Sequence, residues 1–160
     1  MKSVTNVIIA GLGGQGVLKA SDIVAEAAFR CMLDVKKSEL HGMSQRGGSV
    51  SSDIRFGERI FSPMIPPGEA DYLLVLSADQ VEVNRPLLRA GGVLVTPDQV
   101  DEGKLPNKRT INIALLGVLS RHLDIPPEQW LAAIRSNLPQ KVYDMNAQAF
   151  GLGRGNESSE

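Results

Sequence analysis

Gly11-Leu12-Gly13-Gly14-Gln15-Gly16 stands between a β-branched run and a stretch of helical periodicity. It is the first place in the chain where residue type and spacing speak of chemistry. Glycines let a backbone turn sharply and approach a ligand, and a helix that begins just after them offers free N–H groups and the positive end of its dipole to an anion. The pattern is G-x-G-x-x-G in the strand–turn–helix setting it requires. A dinucleotide site also wants an acidic residue about 20 positions on, at the end of the second strand. Asp34 begins that expected strand, Glu39 falls beyond it, and Lys36 and Lys37 take the place between. A P-loop is excluded, because Gly16 leads into Val17-Leu18-Lys19 and no Gly-Lys-Ser/Thr follows. Two readings of Gly11, Gly13, Gly14, Gln15 and Gly16 stay open: an anion-binding helix start, or a turn whose glycines only permit close strand–helix packing.

A second segment, His41-Gly42-Met43-Ser44-Gln45-Arg46-Gly47-Gly48, gathers hydroxyl, amide and guanidinium donors. Arg46 is the leading candidate, because a guanidinium holds a carboxylate or phosphate with two hydrogen bonds. His41 brings an imidazole, a group whose ordinary titration range lies near neutrality, although a lone histidine is more often structural than catalytic. Ser44, Gln45, Gly47 and Gly48 complete a loop suited to an anionic or carbonyl-bearing ligand or to a partner's loop; the plainer reading is a solvated turn. Cys31 is the single cysteine, so an intrachain disulfide and a four-thiolate iron–sulfur site are both excluded. It falls on the apolar stripe of the expected first helix, where a buried, inert thiol is the usual reading.

The elements that must position these loops follow from periodicity. Residues 4–10 (VTNVIIA) read as a strand buried on both faces, and Val17, Ala20, Val24, Ala27, Ala28 and Cys31 recur at helical spacing across 15–32. Residues 34–37 suit a brief second strand and 38–48 an ordered loop. Val50, Ser52, Ile54 and Phe56 alternate with polar residues, Gly57-Glu58 suits a turn, and 59–61 reads as the returning arm of an antiparallel hairpin. A proline-rich crossing (62–70) leads to a buried strand over 72–76. A helix over 80–89 closed by Gly91-Gly92, a strand over 93–96, a loop over 97–108, and helices over 112–123, 128–137 and 143–152 follow. The expectation is a single α/β domain over residues 1–152: a three-layer, doubly wound, Rossmann-like mixed sheet with an antiparallel hairpin. Residues 153–160 read as a disordered tail.

Composition narrows the function classes. The chain has 160 residues, 17 Lys plus Arg against 18 Asp plus Glu, and a net charge of -1. It carries no broad basic field for a nucleic acid and no basic run for a membrane surface. Its apolar runs are far shorter than the roughly 20 residues that span a bilayer. With no signal-like start, the cytoplasm is the expected location.

The order GLGGQGV, KSELHGMSQRGGSVSSDIRFG and FSPMIPPGEADYLLVL resembles the γ-type domain of 2-oxoacid:ferredoxin oxidoreductases, and HGMSQRGGSV is most similar to the indolepyruvate type. The likeness continues through Asn112-Ile113-Ala114-Leu115-Leu116-Gly117 and Asn146, Ala149, Phe150 and Gly153, while residues 96–110 look short for the family. The resemblance implies a non-autonomous subunit in coenzyme A-dependent oxidative decarboxylation of a 2-oxoacid, for this type an arylpyruvate. It implies a large partner subunit bearing thiamine diphosphate, Mg²⁺ and [4Fe–4S] clusters, with ferredoxin reached through the complex. No Gly-Asp-Gly thiamine motif occurs here, and one cysteine cannot ligate a cluster, so this chain alone is expected to hold no cofactor or metal. The glycine loop would then line an anion-favouring helix start, and His41 to Gly48 would face the partner's active-site region. Two other readings compete: an independent NAD-binding oxidoreductase, and a non-catalytic interaction module.

Overall fold

The computed structural model describes residues 3–155 except 42–46 and the side chain of His41. Five strands form one mixed sheet: β1 (Val4–Leu12), β2 (Asp34–His41), β3 (Ser49–Gly57), β4 (Ala70–Val75) and β5 (Leu88–Val95), in the order β2-β3-β1-β4-β5. β3 is antiparallel to β1 and to β2, whereas β4 is parallel to β1 and to β5. The helices are α1 (Val17–Arg30), the single turn α2 (Val81–Asn84), α3 (Ile111–Ser120), α4 (Pro127–Asn137) and α5 (Tyr143–Arg154).

Alternation along β1 sorts the layers. Val7 and Ile9 point into the main core with Val17, Ala20, Ile23 and Val24 of α1 and the apolar faces of α3, α4 and α5. Ile8 points the other way, into a smaller cluster with Ile65, Leu73 and Val75, against which Val81 and Leu87 pack. The three expected layers therefore form, but unequally: four helices cover one face, and α2 with the proline-rich segment covers the other. β1 leaves through α1 toward β2, and β4 leaves through α2 toward β5 on the opposite face. The strand order thus reverses between β1 and β4, and in open α/β sheets the crevice at such a reversal is where ligands bind.

Several boundaries depart from the sequence expectation. β2 is eight residues long and takes in Ser38–His41, which were expected in a loop, because each pairs across to β3, from Ser38↔Asp53 to His41↔Val50. As an edge strand it tolerates polar residues on both faces, which hides it from periodicity. The antiparallel hairpin joins β2 to β3, and residues 59–61 do not return as a strand. Side chains of β2 take their main-chain groups instead: the Asp34 carboxylate accepts from the Ile60 N–H at 2.7 Å, and Lys36 donates to the Ile60 carbonyl. The expected 80–89 helix stops at Asn84, since Pro86 has no N–H to donate and clashes with the preceding turn; Gly91-Gly92 lies inside β5 instead of capping a helix. The 97–108 loop is folded into short 3₁₀ turns. α1 is shorter than 15–32, bounded by Gly16 in the left-handed region (φ 84°) and by Cys31. α5 runs through Arg154 with Gly153 buried, so residues 153 and 154 belong to the fold and not to a tail; residues 156–160 lie outside the described residues.

The proline-rich crossing is held by side chains of β3. Arg55 Nη1 donates to the carbonyls of Ser62 (2.9 Å) and Met64 (3.3 Å), and the Asp53 carboxylate accepts from the Ile65 N–H at 3.0 Å. Burial raises the Asp53 carboxyl above its ordinary value, against the opposing Ile65 hydrogen bond and Arg55 charge. The folded chain therefore binds that proton more tightly than the unfolded chain, so ionisation of Asp53 costs stability as pH rises from the ordinary carboxylate value through the raised one. Asp53→Asn escapes this cost. Its stability relative to the parent, from urea midpoints, should be more favourable at pH 7 than at pH 3.5, and the opposite order would refute the assignment.

α3 and α5 meet backbone to backbone. A β-carbon on Gly117 would overlap the Phe150 carbonyl, and one on Gly153 would overlap the Ala114 carbonyl. Gly153→Ala must push the helices apart, at about 3 kcal/mol. Urea unfolding followed through Trp130, buried against Phe150 with ring centroids 5.8 Å apart, should show that loss. An exposed control, Lys141→Ala, should stay within about 0.5 kcal/mol of the parent.

Candidate functional site

The glycine loop sits at the carboxyl end of β1, in the crevice where the strand order reverses. Its shape comes from internal hydrogen bonds. The Leu12 N–H donates to the Gln15 side-chain oxygen at 2.7 Å, and the Gln15 N–H donates back to the Leu12 carbonyl at 3.2 Å. Gly11 makes room for that side chain, since a β-carbon there would lie 2.8 Å from Gln15 Oε1. Gly14 and Gly16 take φ values of 87° and 84°, which L side chains adopt only with strain. Gln15 is therefore a brace within the loop, and its oxygen is committed to the backbone.

Two other segments close on this loop. The Gly13 N–H donates to the Gly48 carbonyl at 2.9 Å, and a β-carbon on Gly13 would lie 3.2 Å from the Gly47 nitrogen. Ser49 Oγ donates to Gln80 Oε1 at 2.8 Å, tying the start of β3 to the turn after β4. On the far side, Asn112 in the first turn of α3 donates from Nδ2 to the Gly16 carbonyl at 3.4 Å. It is only 8% exposed, and a β-carbon on Gly16 would come within 2.5 Å of it.

A cavity of about 440 Å³ opens here, lined by Leu12, Gly13, Gly14, the first turn of α1 (Gly16–Lys19) and Val50. That first turn has no acidic residue and no side-chain cap, and it carries Lys19. The first N–H groups of a helix lack intrahelical acceptors, so N–H groups, dipole and Lys19 all favour an anion. Among the sequence candidates, the structure brings Gly11, Gly13, Gly14, Gln15 and Gly16 together with Gly47 and Gly48. His41 is placed by its backbone pairing with Val50. Ser44, Gln45, Arg46 and the His41 side chain lie outside the described residues. The sequence reading gave no role to Ser49, Gln80 or Asn112; for Asn112 the available signal was a lone carboxamide opening an otherwise apolar helix.

The geometry disfavours a dinucleotide. In that fold the ribose-binding acid ends the strand beside β1, but here β3 lies between β1 and β2, one strand spacing of about 4.8 Å farther away. Glu39 lies within β2, not beyond it, and its carboxylate is engaged by Lys37 Nζ at 3.0 Å. Cys31 closes α1 half-buried, and burial, then Asp124 and Glu128, push its thiol up, which leaves it a poor nucleophile. Among the described residues no helix is long and apolar enough to cross a membrane.

Comparison with known proteins places this arrangement. The family model for pyruvate ferredoxin/flavodoxin oxidoreductase matches residues 6–106 and 99–155. The chain belongs to this family. Its two matched pieces meet in the segment that the sequence reading found short. The indolepyruvate oxidoreductase subunit IorB of Thermococcus kodakarensis is 34% identical over 190 aligned positions, covering 92% of this chain and 93% of the relative. The aligned span exceeds the 160 residues of this chain, so the relative carries insertions that this chain lacks. Two solved structures share the fold. The γ subunit of a keto/oxoacid ferredoxin oxidoreductase from Geobacter sulfurreducens has a TM-score of 0.81 at 23% identity, over 95% of both chains. The 2-oxoglutarate:ferredoxin oxidoreductase of Magnetococcus marinus, solved with 2-oxoglutarate, coenzyme A and succinyl-CoA bound, has a TM-score of 0.84 at 18% identity, over 97% of this chain and 31% of that one. This family member is thus a small oxidoreductase subunit of α/β fold.

Gln15→Leu removes the acceptor of the Leu12 N–H, whereas Gln15→Glu keeps one. In native-state hydrogen exchange the Leu12 amide should exchange about tenfold faster in the first variant and near the parental rate in the second. Equal rates in all three proteins would contradict the bracing role.

Proposed function

We propose that this chain is the small subunit of an indolepyruvate-type 2-oxoacid:ferredoxin oxidoreductase, working in the cytoplasm on arylpyruvates. The observation that carries the reading is the 34% identity to an indolepyruvate oxidoreductase subunit across nearly the full length of both chains. The reaction is the coenzyme A-dependent oxidative decarboxylation of the 2-oxoacid, with ferredoxin as acceptor through the complex. Thiamine diphosphate with Mg²⁺ supplies the electron sink for decarboxylation, and [4Fe–4S] clusters carry electrons away.

The residues of this chain do not fit those groups. It has one thiol, raised and half-buried, against the four a cluster needs, and no Gly-Asp-Gly sequence. Among the described residues no three His, Cys, Asp or Glu side chains are grouped to hold a metal ion. The thiamine, the magnesium and the clusters belong, on this reading, to a large partner subunit.

What remains for this chain is binding and orientation at the rim of the partner's active site. The α1 start and Lys19 hold an anionic group of the incoming coenzyme A. The role of taking up a carboxylate or phosphate falls to Arg46, with Ser44, Gln45 and His41 as further donors of the same segment. Gly47 and Gly48, through the bond from Gly13, keep the two loops in register.

Co-expressed with the large subunit, the chain should elute with it as a brown, oxygen-sensitive complex. In that complex Arg46→Ala should lower kcat/KM for an arylpyruvate or for coenzyme A by at least about tenfold, the worth of a charge-assisted bidentate pair. Separate elution, or unchanged kinetics for both substrates, would sink the proposal.

A further inference from the structure

A second cavity, of about 280 Å³, lies behind Asn112 on the side away from the glycine loop. The start of α3, the segment joining α4 to α5, and the first turn of α5 form it. Its polar residues include Arg109, Asn112 and Asn146, and its apolar wall includes Leu138, Val142 and Met145.

Three features point to a ligand. Asn146 is only 7% exposed, and its Nδ2 donates to the Val142 carbonyl at 2.8 Å. That bond assigns the nitrogen end of the carboxamide, and Oδ1 accepts no hydrogen bond among the described residues. Arg109 is exposed at the rim and, among the described residues, enters no ion pair or side-chain hydrogen bond. Next to the lining residues in sequence stand Lys108 and Lys141 against Asp144, none of them paired among the described residues, so the segments that form the cavity carry a net positive charge. A carboxamide oxygen that accepts nothing is open to a ligand's donor, and an exposed, unpaired guanidinium at the rim suits an anion. The volume sits at the small end of ligand pockets.

We propose that this cavity binds a small α-amino or α-hydroxy acid with an apolar side chain. The carboxylate pairs with Arg109, the adjacent ammonium or hydroxyl donates to Asn146 Oδ1, and the side chain lies against Leu138, Val142 and Met145. The site stands apart from the glycine-loop cavity and does not depend on the catalytic reading above. Asn112 links the two: it lines this cavity and donates to the carbonyl of Gly16, which lines the other. Occupancy is therefore felt at the start of α1.

The test is a titration of the full-length ¹⁵N-labelled chain with L-phenylalanine and with L-phenyllactate, which separates the amino from the hydroxy acid. Phenylpyruvate serves as the control that keeps the carboxylate and ring but lacks the donor. At least one of the first two should shift the amides of Met145 and Asn146 together with Gly16. Arg109→Ala, an exposed change that leaves the fold intact, should weaken that binding at least about tenfold, and phenylpyruvate should bind correspondingly more weakly. The proposal is overturned if neither acid moves these amides at millimolar concentration, if Arg109→Ala binds as the parent does, or if phenylpyruvate binds as tightly as the better acid.

Discussion

A single main-chain contact, from the Gly13 N–H to the Gly48 carbonyl, organises the functional end of this molecule. It exists because β3 pairs antiparallel with β1 all the way to Leu12↔Ser49, which carries the second loop directly onto the first. A side chain on Gly13 would crowd Gly47, and one on Gly16 would collide with Asn112. The glycines therefore serve the close approach of two protein segments to the loop, and on the proposed function they also leave the helix start open to an anion. The same strand insertion separates β2 from β1 and so removes the acidic partner that a dinucleotide would need. One topological choice both builds this candidate site and counts against the most familiar use of its motif.

The rest of the fold holds that end in place. α1 is pressed on the sheet by an apolar stripe that fills the main core, and α4 braces its outer side through Glu26, which accepts from Ser136 and Asn137. α3 brings Asn112 to Gly16, and α3 is itself seated by the glycine-to-glycine crossing with α5. Polar side chains of β2 take up the main chain of Ile60, and those of β3 take up the proline-rich segment on the thin face, where a strand partner would otherwise be needed.

The sequence carried the parts of this arrangement that are local. The glycine spacing, the apolar period of α1 and the buried runs of β1 and β4 each announce their element, and the α/β class follows from their order. What it hid is non-local. β2 looks like a loop because its identity comes from pairing with β3, not from any alternation of its own. Residues 59–61 look like a returning strand until Asp34 and Lys36 claim the Ile60 main chain. Pro86 breaks a helix that its neighbours would otherwise support. At the site, the glycines were legible from type and spacing. Ser49, Gln80 and Asn112 were not, because their roles depend on contacts 31 and 96 residues apart in the chain.

On this account the carboxyl end of β1 is the face that meets the catalytic partner, and the helices α3, α4 and α5 serve as its support. Hydrogen exchange on the chain alone and in complex with its large subunit tests that directly. The account predicts new protection concentrated in residues 13–19 and 47–50, with the outer faces of α4 and α5 unchanged. Protection confined to the helical face, with the two loops exchanging as freely as before, would contradict it.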